Sequence, residues 1–130
     1  MLLIDTDICS YAIRSQHGVA EKLLLAGTHN WAISMITTHE LLFGISIPGT
    51  SDRTISGVRR FLEAASSLDF EAEAASAAAT VRAQLRKSGK SAGEYDSLIA
   101  GHAIALDATL VTNNIKHFEN VPGLKLENWL

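Results

Sequence analysis

The chain begins with the four apolar residues "MLLI" and follows them at once with Asp5 and Asp7. A run this short and this uniformly apolar has no polar face, so it reads as a strand covered on both sides. Such a strand needs helices above and below its sheet, and the rest of the chain supplies them. "WAISMI", "SLDF" and "ATLVT" are further strand candidates, and "LKLENWL" reads as a final edge strand. Between them, helical periodicity covers "ICSYAIRS", with Thr6 or Asp7 as its cap, then "VAEKLLLAG", "TTHELLFGIS" and residues 52 to 65. The third and fourth of these form a hairpin interrupted by Pro48 and Gly49. An alanine-rich helix over "EAEAASAAATVRAQLRKSG" ends in a basic turn and Gly89; "EYDSLIAGHAIAL" is another helix, and "NIKHF" a turn or short helix. Strands alternating with helices predict an α/β fold, a three-layer α/β/α sandwich around a mostly parallel sheet of four to five strands.

The 130 residues fit one domain spanning 1–130, and 47% of them are hydrophobic, enough for a compact core. No apolar run reaches the ~18 residues of a membrane span and no basic leader precedes the first strand, so a cytoplasmic protein without membrane contact is expected. Cys9 is the only cysteine, which excludes an internal disulfide and a cysteine-based zinc cluster. Beside two acids its thiol would be hard to ionise, and it reads as a small buried hydrophobe. A formal charge of −3 argues against a protein that coats nucleic acid. It leaves room for an enzyme that grips a phosphodiester through a metal, because acids gathered on a cation contribute to that negative balance.

In an open parallel sheet the functional crevice lies outside the carboxyl ends of the strands. Asp5 follows the first strand directly. Glu40 follows the second within the first turn of the next helix, where Thr37-Thr38-His39-Glu40 also fits a capping box. Asp96 lies in the opening turn of "EYDSLIAGHAIAL", on a stripe shared with Ile99, Ala100 and Ala103 that suits packing on a sheet. Ser91 with Glu94 could cap that helix and leave Asp96 redundant for the purpose. Asp7 can cap the first helix, and Thr112, Asn113 and Asn114 in "VTNN" can shape a turn or a cap. Each has an ordinary structural explanation, yet none of these explains why Asp5, Glu40 and Asp96 meet at one rim. Like charges held together raise one another's pKa, and a divalent cation relieves the conflict. Oxygen ligands alone suit Mg²⁺ or Mn²⁺, with Thr112 and Asn114 as neutral neighbours.

Rival motifs are missing. Phe43 stands where the second histidine of H-E-x-x-H would be, no glycine-rich phosphate loop or serine elbow is present, and His102 and His117 read as structural or surface residues. Four segments, "LLIDTDICSYAIR", "ISMITTHELLFGI", "KSGKSAGEYDSLIAGHAIALDATLVTNN" and "FENVPGLKLENW", keep a recognisable order and spacing. Together they resemble the PIN-domain ribonucleases, and within them the VapC toxins of bacterial toxin-antitoxin pairs. The resemblance implies a Mg²⁺- or Mn²⁺-dependent endoribonuclease with Asp5, Glu40 and Asp96 as catalytic acids. Asp5 and Asp96 would ligate the metal, and Asp7, Thr112 and Asn114 would contact its waters or the ligands. Asn114 holds the place of a fourth acid found in many members, and Asp7 that of a more usual asparagine. Transfer RNA, initiator transfer RNA included, is the common target type among such toxins; homodimerisation and a VapB-like antitoxin partner are further implications. The helices around residues 41–47 and 55–62 are candidates for the antitoxin groove.

Arg82, Arg86, Lys87 and Lys90 can complement the negative end of the alanine-rich helix, contact RNA phosphates, or meet an acidic segment of an antitoxin. Two other readings remain. A strand followed by D-x-D also opens haloacid-dehalogenase-type phosphatases, in which Asp5 would be a phosphoryl-accepting nucleophile. The missing fourth acid also admits a non-catalytic PIN module that only binds.

Overall fold

A computed structural model describes residues 1–90 and 93–130. Five strands form a single parallel sheet: β1 (Leu2–Ile4), β2 (Trp31–Ser34), β3 (Ser67–Leu68), β4 (Thr109–Val111) and β5 (Lys125–Glu127), in the order β3-β2-β1-β4-β5. The chain winds outward from β1 to one edge, then returns to pair β4 on the other side of β1. This reversal opens a crevice at the carboxyl ends of β1 and β4.

Successive strand residues point to opposite faces, and the two cores follow that alternation. Leu3 and Leu110 point into one core, built with α5 (Ala72–Lys87), α6 (Glu94–Ala105) and α7 (Ile115–Phe118) through Val81, Leu85, Ile99 and Phe118. Ile4, Ile33 and Val111 point into the other. There they meet Ile8, Val19, Leu23, Leu41 and Val58 from α1 (Thr6–Ile13), α2 (Val19–Ala26), α3 (Met35–Ser46) and α4 (Asp52–Ala64). The expected three-layer sandwich is therefore observed. Lys125 and Glu127 on β5 are exposed charged residues, which suits an edge that must not recruit another strand.

The α5–α6 contact is close enough to be restricted by one residue. A Cβ placed on Gly101 would stand 2.3 Å from the Ala78 backbone, so only glycine fits. Consequently α6 is buried on most sides, with Ser97, Ile99, Ala100, Gly101, His102 and Ala103 all enclosed. The expected single stripe of Ile99, Ala100 and Ala103 is too narrow a description, because small residues let neighbours approach α6 all round. His102 is internal and structural: its Nδ1 lies 2.8 Å from Ser34 Oγ, and Phe70 meets its ring edge to face at 5.3 Å.

Three expected caps are corrected. Asp5, rather than Thr6 or Asp7, caps α1, because β1 ends at Ile4 and the helix follows immediately. Ser34 caps α3 by accepting from Ile36 N at 3.0 Å, so the second strand stops two residues earlier than "WAISMI" and Thr37 with Glu40 forms no box. Gly93 is the N-cap residue of α6, and Asp96 Oδ2 accepts from its N–H at 3.3 Å, so Asp96 is not redundant for capping. Ser91 lies outside the described residues.

Candidate active site

The carboxylates come to the crevice from different elements. Asp5 leaves β1 and caps α1 through Thr6 N, 2.8 Å from its Oδ1. Its Oδ2 accepts from Thr112 Oγ1, at the end of β4, also at 2.8 Å. Asp5 is only 4% exposed, so both oxygens are held in place by donors and screened from water. Thr112 is held in turn by Asn114 N, which donates to its Oγ1 at 3.0 Å. Asn114 thus supports the site through its backbone.

Thr6 links two acids. Its backbone N–H serves Asp5, while its hydroxyl donates to Glu40 Oε1 at 2.8 Å. Glu40, in mid-α3, is half-buried and turned toward the first helix. Asp7 is fixed by Ile8 N at 2.7 Å and by Asn113 N at 3.0 Å. Asp96, in the first turn of α6, meets His117 Nδ1 at 3.0 Å through Oδ2.

Burial raises the pKa of Asp5 to about 7, reinforced by the charge of Asp7 and opposed by the hydrogen bonds from Thr112 and Thr6. Burial also lifts Asp7 and Glu40, and the charge of Asp96 adds to both shifts. Four carboxylates therefore occupy a common field whose electrostatic cost is only partly offset by hydrogen bonds. Cys9 is enclosed, and burial together with Asp5 and Asp7 pushes its thiol well up, which removes it as a nucleophile.

The donor set is oxygen-rich, as a hard divalent cation requires. Among the described residues no three His, Cys, Asp or Glu side chains are grouped tightly enough to cage an ion alone. A cation at Asp5 and Asp96 would accordingly keep much of its water, a habit of Mg²⁺. Such a hydrated arrangement fits these residues.

Among the residues expected at the site, Asp5 and Thr112 are bonded to each other, Asp7 joins the 112–114 turn, and Glu40 is reached through Thr6. Arg82 and Arg86 stand elsewhere, lining a cleft of about 440 Å³ along α5 and α6 with Phe70, Ala78 and Glu94. Lys87 is exposed in the last turn of α5. The bridging role of Thr6, the amide of Asn113 and the contact of His117 with Asp96 were not foreseen. His117 stands three residues after Asn114, one helical turn away, and that spacing was the available signal that both belong beside the crevice.

The PIN domain family description matches residues 2–124. The chain belongs to the PIN-domain family. Its relatives place this PIN domain in the VapC group. Ribonuclease VapC2 of Rickettsia felis is 41% identical, with 98% of this chain and 96% of that protein covered. A tRNA(fMet)-specific endonuclease VapC of Salmonella typhimurium is 32% identical over 98% of this chain and 96% of its own. The crystal structure of VapBC2 from Rickettsia felis bound to a DNA fragment from their promoter contains a chain that superposes with a TM-score of 0.90 at 39% identity, covering 99% of this chain and 98% of that one. The all-parallel sheet of the PIN domain agrees with that likeness. Among its described residues no helix is long and apolar enough to cross a membrane.

Proposed function

We propose that the chain is a VapC-type endoribonuclease toxin that hydrolyses RNA phosphodiester bonds with Mg²⁺ or Mn²⁺ and is silenced by a VapB-like antitoxin. The observation that carries this reading is that Asp5, Asp7 and Glu40 at the β1–β4 crevice all feel the charge of Asp96 and are raised, Asp5 to about 7. Asp5 and Asp96 would hold the cation. When bound, it would stabilise the developing charge on phosphorus oxygens and lower the pKa of a water. Thr112 and Thr6 keep the Asp5 carboxylate oriented, and Thr6 keeps Glu40 beside it, placed to accept a proton from water. Residues 1–130 would act as one unit, in the cytoplasm.

Transfer RNA, and initiator transfer RNA in particular, is the proposed substrate; the Salmonella typhimurium relative carries that specificity in its name. Arg82, Arg86 and Lys87 would hold RNA phosphates at a distance from the acids. A second cleft, about 270 Å³, opens between α1, α3 and α4 beside Thr6 and Glu40, with Arg14 at its wall and Ile13, Leu41, Ile45 and Val58 as its apolar lining. This is where the antitoxin would lie, next to the acids it must block. Two copies of the chain would pair as a homodimer.

The burial of Asp5 counts against a phosphatase in which it attacks phosphorus, since both its oxygens already accept hydrogen bonds inside the crevice. Incubating the purified protein with total RNA, with and without EDTA and beside Asp96→Asn, tests the proposal. Metal-dependent cleavage lost in the variant is expected, and RNA binding without cleavage would leave only a binding module. Sequencing the new RNA ends identifies the target.

A further inference from the structure

A third cleft, about 350 Å³, opens on the other flank of the acids and is lined by Asn113, Asn114, Ile115, Lys116, His117 and Asn128. Five of these six side chains are polar, in contrast to the apolar lining beside Glu40. The cleft is joined to the site through two contacts: Asn113 N donates to Asp7 Oδ2 at 3.0 Å, and His117 Nδ1 lies 3.0 Å from Asp96 Oδ2. Its far wall is tied to the near one where Asn128 Nδ2 approaches Asn113 Oδ1 at 3.4 Å, while Asn128 Oδ1 accepts from Leu130 N at 3.0 Å.

A polyanion approaching four carboxylates is repelled unless a cation stands next to them. Lys116 forms no ion pair among the described residues and lines this cleft with Asn113 and His117, the residues that touch Asp7 and Asp96. Asn114 lines the cleft and its side-chain amide makes no hydrogen bond among the described residues, so one donor and one acceptor are available there. Unstacked RNA bases present matching edges. The lining holds no Phe, Tyr or Trp, so the base would be recognised by hydrogen bonds and not by stacking on such a ring.

We propose that this cleft holds the nucleotide adjoining the scissile phosphate, with Lys116 on its phosphate and Asn114 on its base edge. The inference rests on the ribonuclease reading and adds where preference for the cut-site sequence resides. Asn128 is a positioning residue, holding Asn113 against the opening.

Cleavage of short oligoribonucleotides differing at each position around the cut, by wild type, Lys116→Ala and Asn114→Ala, tests it. Lys116→Ala is expected to raise KM about five-fold with kcat unchanged, and to flatten the slope of log affinity against log salt by about 0.7. Asn114→Ala is expected to reduce the preference between bases at one position by up to about ten-fold. Wild-type KM, salt slope and base preference in both variants would overturn the assignment while leaving the nuclease intact. Should wild type fail to cleave, anisotropy of a fluorescein-labelled oligoribonucleotide in EDTA still decides: weaker binding by Lys116→Ala supports the cleft, and equal binding refutes it.

Discussion

The fold treats Asp5 in the β1–β4 crevice and Asp96 at the start of α6 differently. Asp5 is 4% exposed and spends both oxygens on donors from β4 and α1. The Asp96 side chain is 22% exposed and, among the described residues, bonds through Oδ2, to His117 and the Gly93 N–H. The first acid is thus enclosed and held through both oxygens, while the second keeps more of its side chain at the surface. Such a pairing suits a site that must fix an ion on one side and admit substrate on the other.

Replacement of either acid has the largest expected effect. Asp5→Asn and Asp96→Asn should each lower RNA cleavage by roughly a thousand-fold or more, the scale of losing several kcal/mol of charge stabilisation. Their effects on stability should diverge. An unfolded Asp5 ionises near its ordinary value of 3.8, and the folded one near 7. Between those values the native state retains a proton that the unfolded chain has released, so the contribution of Asp5 to stability is full below the lower value and is lost as pH rises through the upper one. In EDTA the wild type should therefore melt at a lower temperature at about pH 8 than at about pH 5, and Asp5→Asn should lose much of that difference while Asp96→Asn retains it. Equal melting profiles for the two variants would remove the contrast between the acids.

The next effect concerns the support of Asp96. Gly101→Ala, forced against the Ala78 backbone, should cost about 1–3 kcal/mol or more, read by chemical denaturation. A smaller loss, about ten-fold in kcat, is expected for Thr112→Val, which removes the donor to Asp5 Oδ2. Because that hydrogen bond lowers the Asp5 pKa, its removal should also shift the fall of the melting temperature in EDTA to higher pH. Least affected should be the response to thiol reagents: iodoacetamide should leave native activity unchanged, since Cys9 is enclosed.

Local pattern accounts for most of the architecture. Short apolar runs carry enough information to mark strands, because both faces of this sheet are covered and the alternation of Leu3 with Ile4 serves two cores. The rim position of Asp5 followed from the end of the first strand. Capping was less legible: whether Ser34 or Thr37 begins α3 depends on where pairing with β1 and β3 ends, a tertiary event. His117 was missed for a related reason, since its partner lies 21 residues earlier and reaches it only after α6 and α7 have docked. The narrow stripe assigned to α6 overlooked Gly101, whose lack of a side chain is what admits α5.

The hydrogen bond between Asp5 and Thr112 spans 107 positions of the chain. A ribosome making this protein releases the first acid long before the partner that orients it, so until then the nascent chain has no finished crevice. The order of synthesis itself delays assembly of this site until β4 has emerged.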